Sequence, residues 1–344
     1  MDSKKFCQIF SWLSKILFMF RYFLHILHNL RRFPISIFRY VFGLWSTMSP
    51  IIVPFIDKLM SMYFRLCDLS PCTVDLDDQT TLHFWTPNHR KFNKPTLVII
   101  HGYGGTSRWQ FLYQVRSLAV GFNLYVPDLL FFGKSRTSNS DRSDAFQAKC
   151  LVQGMRRLGV DRFTVYGISY GGFVAYRMAE IHPQEVEKLV IVSSGIGYSE
   201  NQKQKHLENI GRDISGILVP ESPEDLRLLV TLAFSNHGYM KWIPDFLLRE
   251  FINVMHNTNR KGQVELIDYL MKKDANPNIP ILTQETLIIW GDEDKVFPVE
   301  LAHQMHRSLG PRSRLVIIKN IGHAANIESP NQLNNLITSF ALGD

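Results

Sequence analysis

A serine flanked by glycines stands where an apolar run gives way to a helical pattern, in the motif GISYG at residues 167–171. The apolar run at 163–166 indicates a buried strand, and the pattern over 170–181 indicates a helix. A sharp strand-to-helix turn strains the serine backbone, and flanking glycines leave room where a Cβ would clash. N–H groups at the start of the helix can stabilise an oxyanion. The motif therefore predicts Ser169 as a nucleophile, with Gly167 and Gly171 shaping its turn.

A general base and an acid are needed beside such a serine, because its hydroxyl is a poor nucleophile until a base removes the proton. His323 lies next to a glycine in the loop after the last predicted strand, and we predict it as the base. The acid should follow the preceding strand, where Asp292, Glu293 and Asp294 are all available. The chain order of serine, acid and histidine suits a triad on a parallel sheet. Spacing alone leaves the choice among the three carboxylates open.

A glycine-rich segment, HGYGG at residues 101–105, follows the apolar run TLVII at 96–100. Its glycines allow backbone N–H groups to approach a substrate oxygen, so we predict an oxyanion hole whose donors are the N–H groups of Tyr103 and Tyr170. A phosphate-binding loop is disfavoured because no Lys-Ser/Thr pair follows at Walker spacing. The residues predicted to shape the site around these donors are His101, Gly102, Gly104, Gly167 and Gly171.

Short apolar runs alternate with helical stretches from Cys72 onward, a pattern typical of a mostly parallel α/β sheet. The predicted strands are 73–75, 81–85, 96–100, 124–126, 163–166, 189–192, 286–290 and 315–318. The predicted helices between them are 108–119, 141–158, 170–181, 299–309 and 331–341. Each crossover is long enough to join parallel strands. The sequence therefore predicts that the candidate catalytic residues share the carboxyl edge of one sheet.

The interval between 192 and 286 has helical periodicity and no clear strand. Ser222 followed by Pro223 is a good helix start, a second helix follows Pro244, and a third covers 263–271. An all-helical insertion at this point would cover the strand carboxyl ends, where ligands bind in doubly wound sheets. We therefore predict a helical cap.

Composition is that of a globular protein, with 344 residues, 45% hydrophobic and 20% charged. The net charge of +7 comes partly from a basic, apolar N-terminus, and no zinc-ligand spacing or Arg-rich tract indicates nucleic-acid binding. The four cysteines form no CxxC pair, which favours reduced thiols in a cytosol-facing protein over a Cys67–Cys72 disulfide. The chemistry described above requires neither a metal ion nor an organic cofactor.

Residues 6–30 place Lys15, Arg21 and His25 on one side of a helical wheel and apolar residues on the other. A spanning helix would bury Lys15 and Arg21 at a cost of about 3 kcal/mol each, so we favour an interfacial amphipathic helix. The following apolar stretch, 35–55, contains Pro50 and Pro54; it is a second interfacial element, a shallow hairpin, or a helix covering the catalytic domain. Two helices packed on the protein's own core remain the alternative. We expect residues 1–55 to contact a membrane surface, on the cytosolic face of an ER-like endomembrane.

Five segments together resemble the α/β-hydrolase superfamily: HGYGG, VPDLLFFGKS (126–135), GISYGG (167–172), IIWGDEDKVFP (288–298) and IKNIGHAANIESP (318–330). They look most like plant serine hydrolases related to monoacylglycerol lipases and to epoxide hydrolase-like proteins. The resemblance covers about residues 72–341. It implies that Asp294, three residues after Gly291, is the acid of the triad. It also implies that Asp128 and Ser135 shape the loop beside the pocket without doing chemistry.

The expected fold is thus an α/β-hydrolase fold with a mostly parallel central sheet, a helical cap insertion and an apolar N-terminal helical extension. We divide the chain into a membrane-associating segment (1–65), the first part of the core (66–196), the cap (197–284) and the second part of the core (285–344). The expected activity is hydrolysis of a lipophilic carboxylic ester by a lipase- or carboxylesterase-like serine hydrolase. The alternatives left open are an acyltransferase, a lyase, and a small-molecule hormone receptor of the same fold.

Overall fold

The computed structural model describes residues 50–272 and 279–343. The predicted interfacial helix at 6–30 and most of the apolar stretch that follows it lie outside these residues. Within the described ranges, no helix combines the length and apolar character needed to cross a bilayer. Cys67, Cys72 and Cys150 are free thiols.

A nine-stranded sheet forms the centre of the described chain, in the order β1-β2-β4-β3-β6-β7-β8-β9, with β5 paired to β2. Strands β1 and β2 pair antiparallel. Along the path β4-β3-β6-β7-β8-β9, each strand pairs in parallel with its neighbour. The strands are β1 (Leu69–Asp75), β2 (Thr80–Pro87), β3 (Thr96–Ile100), β4 (Asn123–Pro127), β5 (Arg136–Thr137), β6 (Phe163–Ile168), β7 (Val186–Val192), β8 (Glu285–Gly291) and β9 (Ser313–Ile318). This mostly parallel sheet confirms the predicted fold class.

Helices connect the strands and cover both faces of the sheet. Those of the core are α1 (Ile52–Leu66), α2 (Ser107–Phe111), α3 (Val115–Gly121), α4 (Asp144–Arg157), α5 (Tyr170–Ile181), α11 (Glu300–Leu309), α12 (Ala325–Glu328) and α13 (Pro330–Leu342). Those between β7 and β8 are α6 (Glu200–Ile210), α7 (Ile214–Leu218), α8 (Pro223–Ala233), α9 (Asp245–Ile252) and α10 (Arg260–Lys272), with short helical turns at Gly238–Trp242 and Asn253–Asn257. The insertion between β7 and β8 thus contains the three predicted helices and two further helices before them, α6 and α7.

Strand β3 shows why the central strands are apolar along their whole length. Val98 and Ile100 point into a cluster on one face of the sheet, whereas Leu97 and Ile99 point into a second cluster on the other face. Successive side chains of a strand face opposite ways, so a sheet covered by helices on both sides needs apolar residues at every position. This packing holds the carboxyl ends of the parallel strands at one rigid edge.

Helix α1 packs on the core through Phe64, and Val53 near its start is also buried. Asp57 on this helix accepts hydrogen bonds from the Arg108 guanidinium at 2.7 and 2.9 Å and from Trp109 Nε1 at 3.1 Å. Glu250 of the cap accepts a hydrogen bond from the Val53 N–H at 2.9 Å. The helix therefore bridges the core and the cap. The part of the predicted N-terminal segment that the structure describes packs on the sheet domain by one face, and the boundary at residue 65 stays a prediction.

Candidate active site

Ser169 stands at the turn between β6 and α5, with φ of 55° and ψ of −122°. A positive φ is strained for a residue with a Cβ. The turn is held because the Ser169 N–H donates to the Val192 carbonyl at 2.9 Å and its own carbonyl accepts from the Gly172 N–H at 2.9 Å. The strain follows from the abrupt change of direction that the sequence motif predicts.

Gly167 and Gly171 meet where α5 leaves the sheet. A Cβ added at Gly167 would lie 2.2 Å from the Gly171 carbonyl oxygen, and one at Gly171 would lie 2.2 Å from the carbonyl oxygen of Ile100. Both distances are far inside van der Waals contact. The two glycines therefore leave the room that the sequence analysis expects at this turn, and they let it lie in close contact with strand β3.

His323 and Asp294 are hydrogen-bonded to each other, with Nδ1 of the histidine 2.9 Å from Oδ2 of the aspartate. The second oxygen of Asp294, Oδ1, accepts from the N–H groups of Val296 and Phe297, both at 2.8 Å. Both side chains of the pair are buried. The oxygens of a carboxylate can only accept hydrogen bonds, so the His323 nitrogen beside Asp294 must be the donor. His323 therefore presents its Nδ1–H to Asp294, and in that tautomer Nε2 is the acceptor.

The other two carboxylates of the same loop have different partners. Asp292 accepts from the Asn320 N–H at 2.6 Å and pairs with Lys319 at 3.3 Å. Glu293 has an exposed side chain. Of the three carboxylates that spacing left open, Asp294 is the one placed beside His323.

The loop that carries His323 (residues 319–324, the His323 loop) is fixed from the cap side. The Ala324 N–H donates to the Ala233 carbonyl at the end of α8 at 2.9 Å. Glu328 accepts from the Gly322 N–H at 2.8 Å and, through its other oxygen, from the Ser235 hydroxyl at 2.6 Å. These contacts connect the position of the histidine to the position of the cap.

Ser169, Asp294 and His323 follow β6, β8 and β9, so they lie at the same carboxyl edge of the sheet. Among residues 50–272 and 279–343, no hydrogen bond of the Ser169 hydroxyl is recorded, whereas the Asp294–His323 bond is formed. Structures without substrate commonly show a loose contact between the nucleophile and its base, which tightens in the substrate complex. The structure thus brings Asp294 and His323 into contact and places Ser169 at the same edge of the sheet, with no hydrogen bond between Ser169 and His323.

The segment HGYGG, here called the oxyanion loop (residues 101–105), lies in close contact with Ser169 at Gly102. A Cβ built on Gly102 would lie 2.8 Å from Ser169 Cβ and 3.3 Å from Ser169 Oγ. Within the described chain, the backbone N–H groups of Tyr103 and Tyr170 donate to no residue. Gly104 has φ of 95°, a conformation that favours glycine. Two backbone N–H groups without an acceptor in the described chain, close to a serine hydroxyl, are the donors that an oxyanion hole requires.

His101, the first residue of the oxyanion loop, is completely buried, and its ring is hydrogen-bonded within this loop and to the segment after β4. Its Nδ1 lies 2.8 Å from the Gly102 carbonyl oxygen, and its Nε2 accepts from the Leu129 N–H at 3.0 Å. Burial lowers the pKa of His101, against smaller opposing effects of Asp128 and the Gly102 carbonyl. The ring is therefore neutral and carries its proton on Nδ1, where it donates to the loop.

Asp128 and Ser135, which the family resemblance assigned to loop shape, are buried in a hydrogen-bond network. Asp128 accepts from the Ser107 hydroxyl at 2.6 Å and lies 3.0 Å from His83 Nδ1, and the Ser135 hydroxyl donates to the Asp128 carbonyl at 2.6 Å. Burial raises the pKa of Asp128, but the hydrogen bond and charge of His83 outweigh it and hold that pKa well below its usual range. The network fixes the start of α2 beside the oxyanion loop.

Two polar groups near the site had no signal in the sequence. Gln110 on α2 is hydrogen-bonded to the oxyanion loop. In the cap, the backbone carbonyl of Gln263 accepts a hydrogen bond of 2.9 Å from the Tyr103 hydroxyl. The side chain of Gln263 in turn bonds His256 at 2.8 Å. Glutamines on helix surfaces are common, so nothing in their spacing distinguished these two. Among the described residues, no group of His, Cys, Asp and Glu side chains could hold a metal ion.

We expect His256 to make the stability of the protein pH-dependent. Burial lowers its pKa to about 4, with Arg260 adding to the effect and the bond to Gln263 opposing it. The unfolded histidine titrates near 6.5, so between these values only the unfolded state takes up the proton. Stability is then complete above about pH 6.5 and falls by on the order of 1–2 kcal/mol by about pH 5.

Thermal unfolding of the wild type and of His256→Asn between pH 7 and pH 5 measures this contribution. The asparagine amide can keep the bond to Gln263 and cannot be protonated. The wild type should lose several degrees of Tm more than the variant over this interval. Equal losses in the two proteins would show that His256 is not the group responsible.

Comparison with known proteins gives the family. The α/β hydrolase fold family matches residues 95–330. Monoacylglycerol lipase ABHD6 of Mus musculus is 27% identical over 263 residues, which cover 73% of this chain and 76% of that protein. Lipase 3 of Moraxella sp. (strain TA144) is 26% identical over 254 residues, covering 72% of this chain and 77% of that protein.

Solved structures agree at the level of the fold. A bacterial membrane phospholipase A, described as a virulence factor, superposes with a TM-score of 0.70 at 24% identity, covering 94% of this chain and 98% of that one. A lipase from Acinetobacter baumannii AYE gives a TM-score of 0.70 at 22% identity, covering 83% and 95% of the two chains. With a family match that spans more than half of its length, this chain belongs to the α/β-hydrolase fold family.

Proposed function

We propose that this protein is a serine ester hydrolase that cleaves a lipophilic carboxylic ester through an acyl-enzyme on Ser169. The observation that carries the proposal is the buried hydrogen bond between His323 Nδ1 and Asp294 Oδ2, at the edge where the strained Ser169 turn lies. A histidine whose Nδ1 is held by a carboxylate, so that Nε2 points away from it, is the base that a serine nucleophile requires. The lipases and the monoacylglycerol lipase among the relatives support ester chemistry.

In the proposed reaction, Ser169 Oγ attacks the ester carbonyl while His323 Nε2 takes its proton. Asp294 stabilises the imidazolium that forms, and the N–H groups of Tyr103 and Tyr170 bind the oxyanion. The imidazolium then gives its proton to the leaving alcohol, and the acyl group remains on Ser169. Water attacks this ester with His323 again as base, which releases the carboxylic acid and restores the serine.

An aromatic cluster beside His323 supports a lipophilic substrate. The Phe297 ring lies 5.6 Å from the His323 ring, and Phe173 and Tyr198 lie 6.3 and 6.1 Å from Phe297. All three aromatic side chains are partly buried. Apolar rings next to the base favour a substrate that has an acyl chain or another apolar group near its reacting carbonyl.

Hydrolysis of a panel of esters by the purified full-length protein tests the function. The panel contains monoacylglycerols, aryl esters of short, medium and long acyl chains, and lactones, each measured with wild type and with Ser169→Ala. Acid release that depends on Ser169 supports the proposal. Transfer of the acyl group to an added alcohol without hydrolysis would indicate a transferase, and binding without turnover would indicate a receptor.

We further propose that the protein associates with a membrane surface through its N-terminal segment, residues 1–55. The segment is basic and apolar, with seven Lys or Arg residues up to Arg39 against Asp2 as its acid in that stretch. Where the segment leads into α1, Ile51, Phe55 and Met62 are more than half exposed and lie on the same side of the helix. Apolar side chains at an interface, next to cationic residues, bind anionic lipid surfaces. The cytosolic face of an ER-like endomembrane is the location we propose.

Deletion of residues 1–49 should release the protein from membranes and leave hydrolysis of a short-chain soluble ester within about twofold, because α1 and its bonds to the core and cap stay in place. Flotation with anionic vesicles and the soluble-ester assay measure the two effects.

Deletion of residues 1–66 provides the contrast. It removes Asp57, the carboxylate partner of Arg108, whose side chain is 9% exposed. It also removes Phe64 and so exposes the apolar core residues that this side chain covers. This longer deletion should reduce stability and activity together. If the protein without residues 1–49 still floats with the vesicles, the membrane contact lies outside that segment.

A further inference from the structure

Gln110 on α2 makes three hydrogen bonds to the oxyanion loop with its side-chain amide. Its Oε1 accepts from the Gly102 N–H at 2.9 Å. Its Nε2 donates to the Gly102 carbonyl at 2.8 Å and to the Tyr103 carbonyl at 2.9 Å. The side chain thus binds two consecutive residues of the loop whose N–H group is proposed to hold the oxyanion.

The chemistry of these bonds requires an amide. A primary amide offers one carbonyl oxygen and two N–H donors, and here the oxygen meets an N–H while the two donors meet two carbonyls. A carboxylate of the same shape would place an oxygen against both carbonyls, and an apolar side chain would leave all three backbone groups without this partner. The position therefore distinguishes glutamine from every residue of similar size.

The bonds set the direction of the peptide between Gly102 and Tyr103. In a trans peptide the N–H and the carbonyl point in opposite directions. The Gly102 carbonyl is held by Gln110 Nε2 and, at 2.8 Å, by His101 Nδ1. The Tyr103 N–H is consequently turned to the opposite side of the peptide. No described residue accepts its hydrogen.

The same residue is joined to the segment that follows His323. The Gln110 backbone carbonyl accepts from Asn326 Nδ2 at 2.7 Å, and Gln114 Nε2 donates to the Asn326 carbonyl at 2.8 Å. Asn326 lies in α12, three residues after His323, and both Asn326 and Gln114 are buried. Gln110 of helix α2 is thus bonded to the oxyanion loop on one side and, together with Gln114 three residues after the helix, to the segment that follows His323 on the other.

We propose that Gln110 is a positioning residue that holds the Gly102–Tyr103 peptide so that the Tyr103 N–H faces the oxyanion formed on attack by Ser169. The inference rests on the proposed serine hydrolase function. Gln110 touches neither substrate nor reacting atoms in this scheme; it acts by fixing a donor. Its loss should therefore weaken binding of the transition state more than binding of the ester.

The test compares Gln110→Glu and Gln110→Met with wild type in the full-length protein. With a soluble ester, kcat should fall about 10- to 100-fold and KM should change less than about threefold, since removal of a whole oxyanion donor costs roughly 10²–10³ in kcat. The inhibition constant of a trifluoromethyl ketone, whose adduct with Ser169 carries an oxyanion, should rise by the same factor as kcat/KM falls. Gln153→Glu is the matched control, because it makes the same exchange at an exposed glutamine.

Circular dichroism and thermal unfolding separate positioning from folding. If Gln110→Glu does not fold, Gln110→Met carries the test, because it removes the three bonds without adding a charge. A folded variant with unchanged kcat and unchanged ketone inhibition would overturn the inference. So would a loss of Tm without any change in ketone inhibition. Failure of the underlying function looks different: wild type itself would show no Ser169-dependent hydrolysis and no adduct with the ketone.

Discussion

Replacing Ser169 with alanine is expected to lower kcat for ester hydrolysis by roughly 10⁴- to 10⁶-fold and to abolish labelling by a fluorophosphonate probe. The alanine keeps the backbone turn but removes the oxygen proposed to form the acyl-enzyme, which is also the oxygen that the probe would label. Ser169→Ala should therefore fold like wild type, since Oγ has no hydrogen bond among the described residues. Mass spectrometry of the labelled peptide and the ester assay measure the two effects.

Ser193 offers a demanding control for this experiment. It follows the neighbouring strand β7, it also has a positive φ, of 47°, and its buried hydroxyl has no hydrogen-bond partner in the described chain. Ser193→Ala should keep both the labelling and the hydrolysis of wild type. Labelling of the Ser169→Ala protein at Ser193, or at any other serine, would disprove Ser169 as the nucleophile.

The second large effect is expected for Asp294→Asn, which should lower kcat by about 10⁴-fold while leaving the protein folded. The N–H groups of Val296 and Phe297 both donate to Oδ1 at 2.8 Å, so the amide oxygen of asparagine must occupy that position. The NH₂ group then faces His323 Nδ1 in place of Oδ2. It donates to Nδ1, so the ring carries its proton on Nε2 and cannot accept the proton of Ser169.

Glu293→Gln makes the same exchange of carboxylate for amide one residue away, on an exposed side chain. It should leave kcat within about twofold of wild type, because surface charges at this distance are screened by solvent. Nitrogen NMR of the histidine ring can report the change of tautomer in Asp294→Asn directly. An Asp294→Asn protein with wild-type kcat, or an equal loss in Glu293→Gln, would remove Asp294 from the proposed triad.

Local pattern was sufficient for most of the sheet. Strand β3 has the predicted bounds, and β6 and β8 extend the predicted strands by one or two residues. These strands are buried on both faces, so their apolar character is continuous and easily recognised. Strand β1 is longer than predicted: it begins at Leu69 because its register with β2 pairs Leu69 with Pro87, and no apolar run marks that pairing in the sequence.

The predicted helix at 108–119 is instead two helices, α2 and α3. The break lies at Tyr113 and Gln114, whose groups bond distant residues. The Tyr113 carbonyl accepts from Asn334 Nδ2 at 3.0 Å, and Gln114 bonds Asn326. Both partners are more than 200 positions away along the chain. Helical periodicity continues through the break, so only the folded chain could show it.

The sequence by itself determined the type of chemistry, because the strand, the glycines and the helix that surround Ser169 are consecutive residues and their steric requirements are local. The tertiary structure decided which residues lie at the same sheet edge as that serine. Asp294 contacts His323, and Gln110 contacts Asn326, only after separate crossovers have brought the strand ends together. Asp57 on helix α1 contacts Arg108 and Trp109 only in the assembled core. Such contacts depend on distance in space, whereas local steric preference acts between neighbours in the chain.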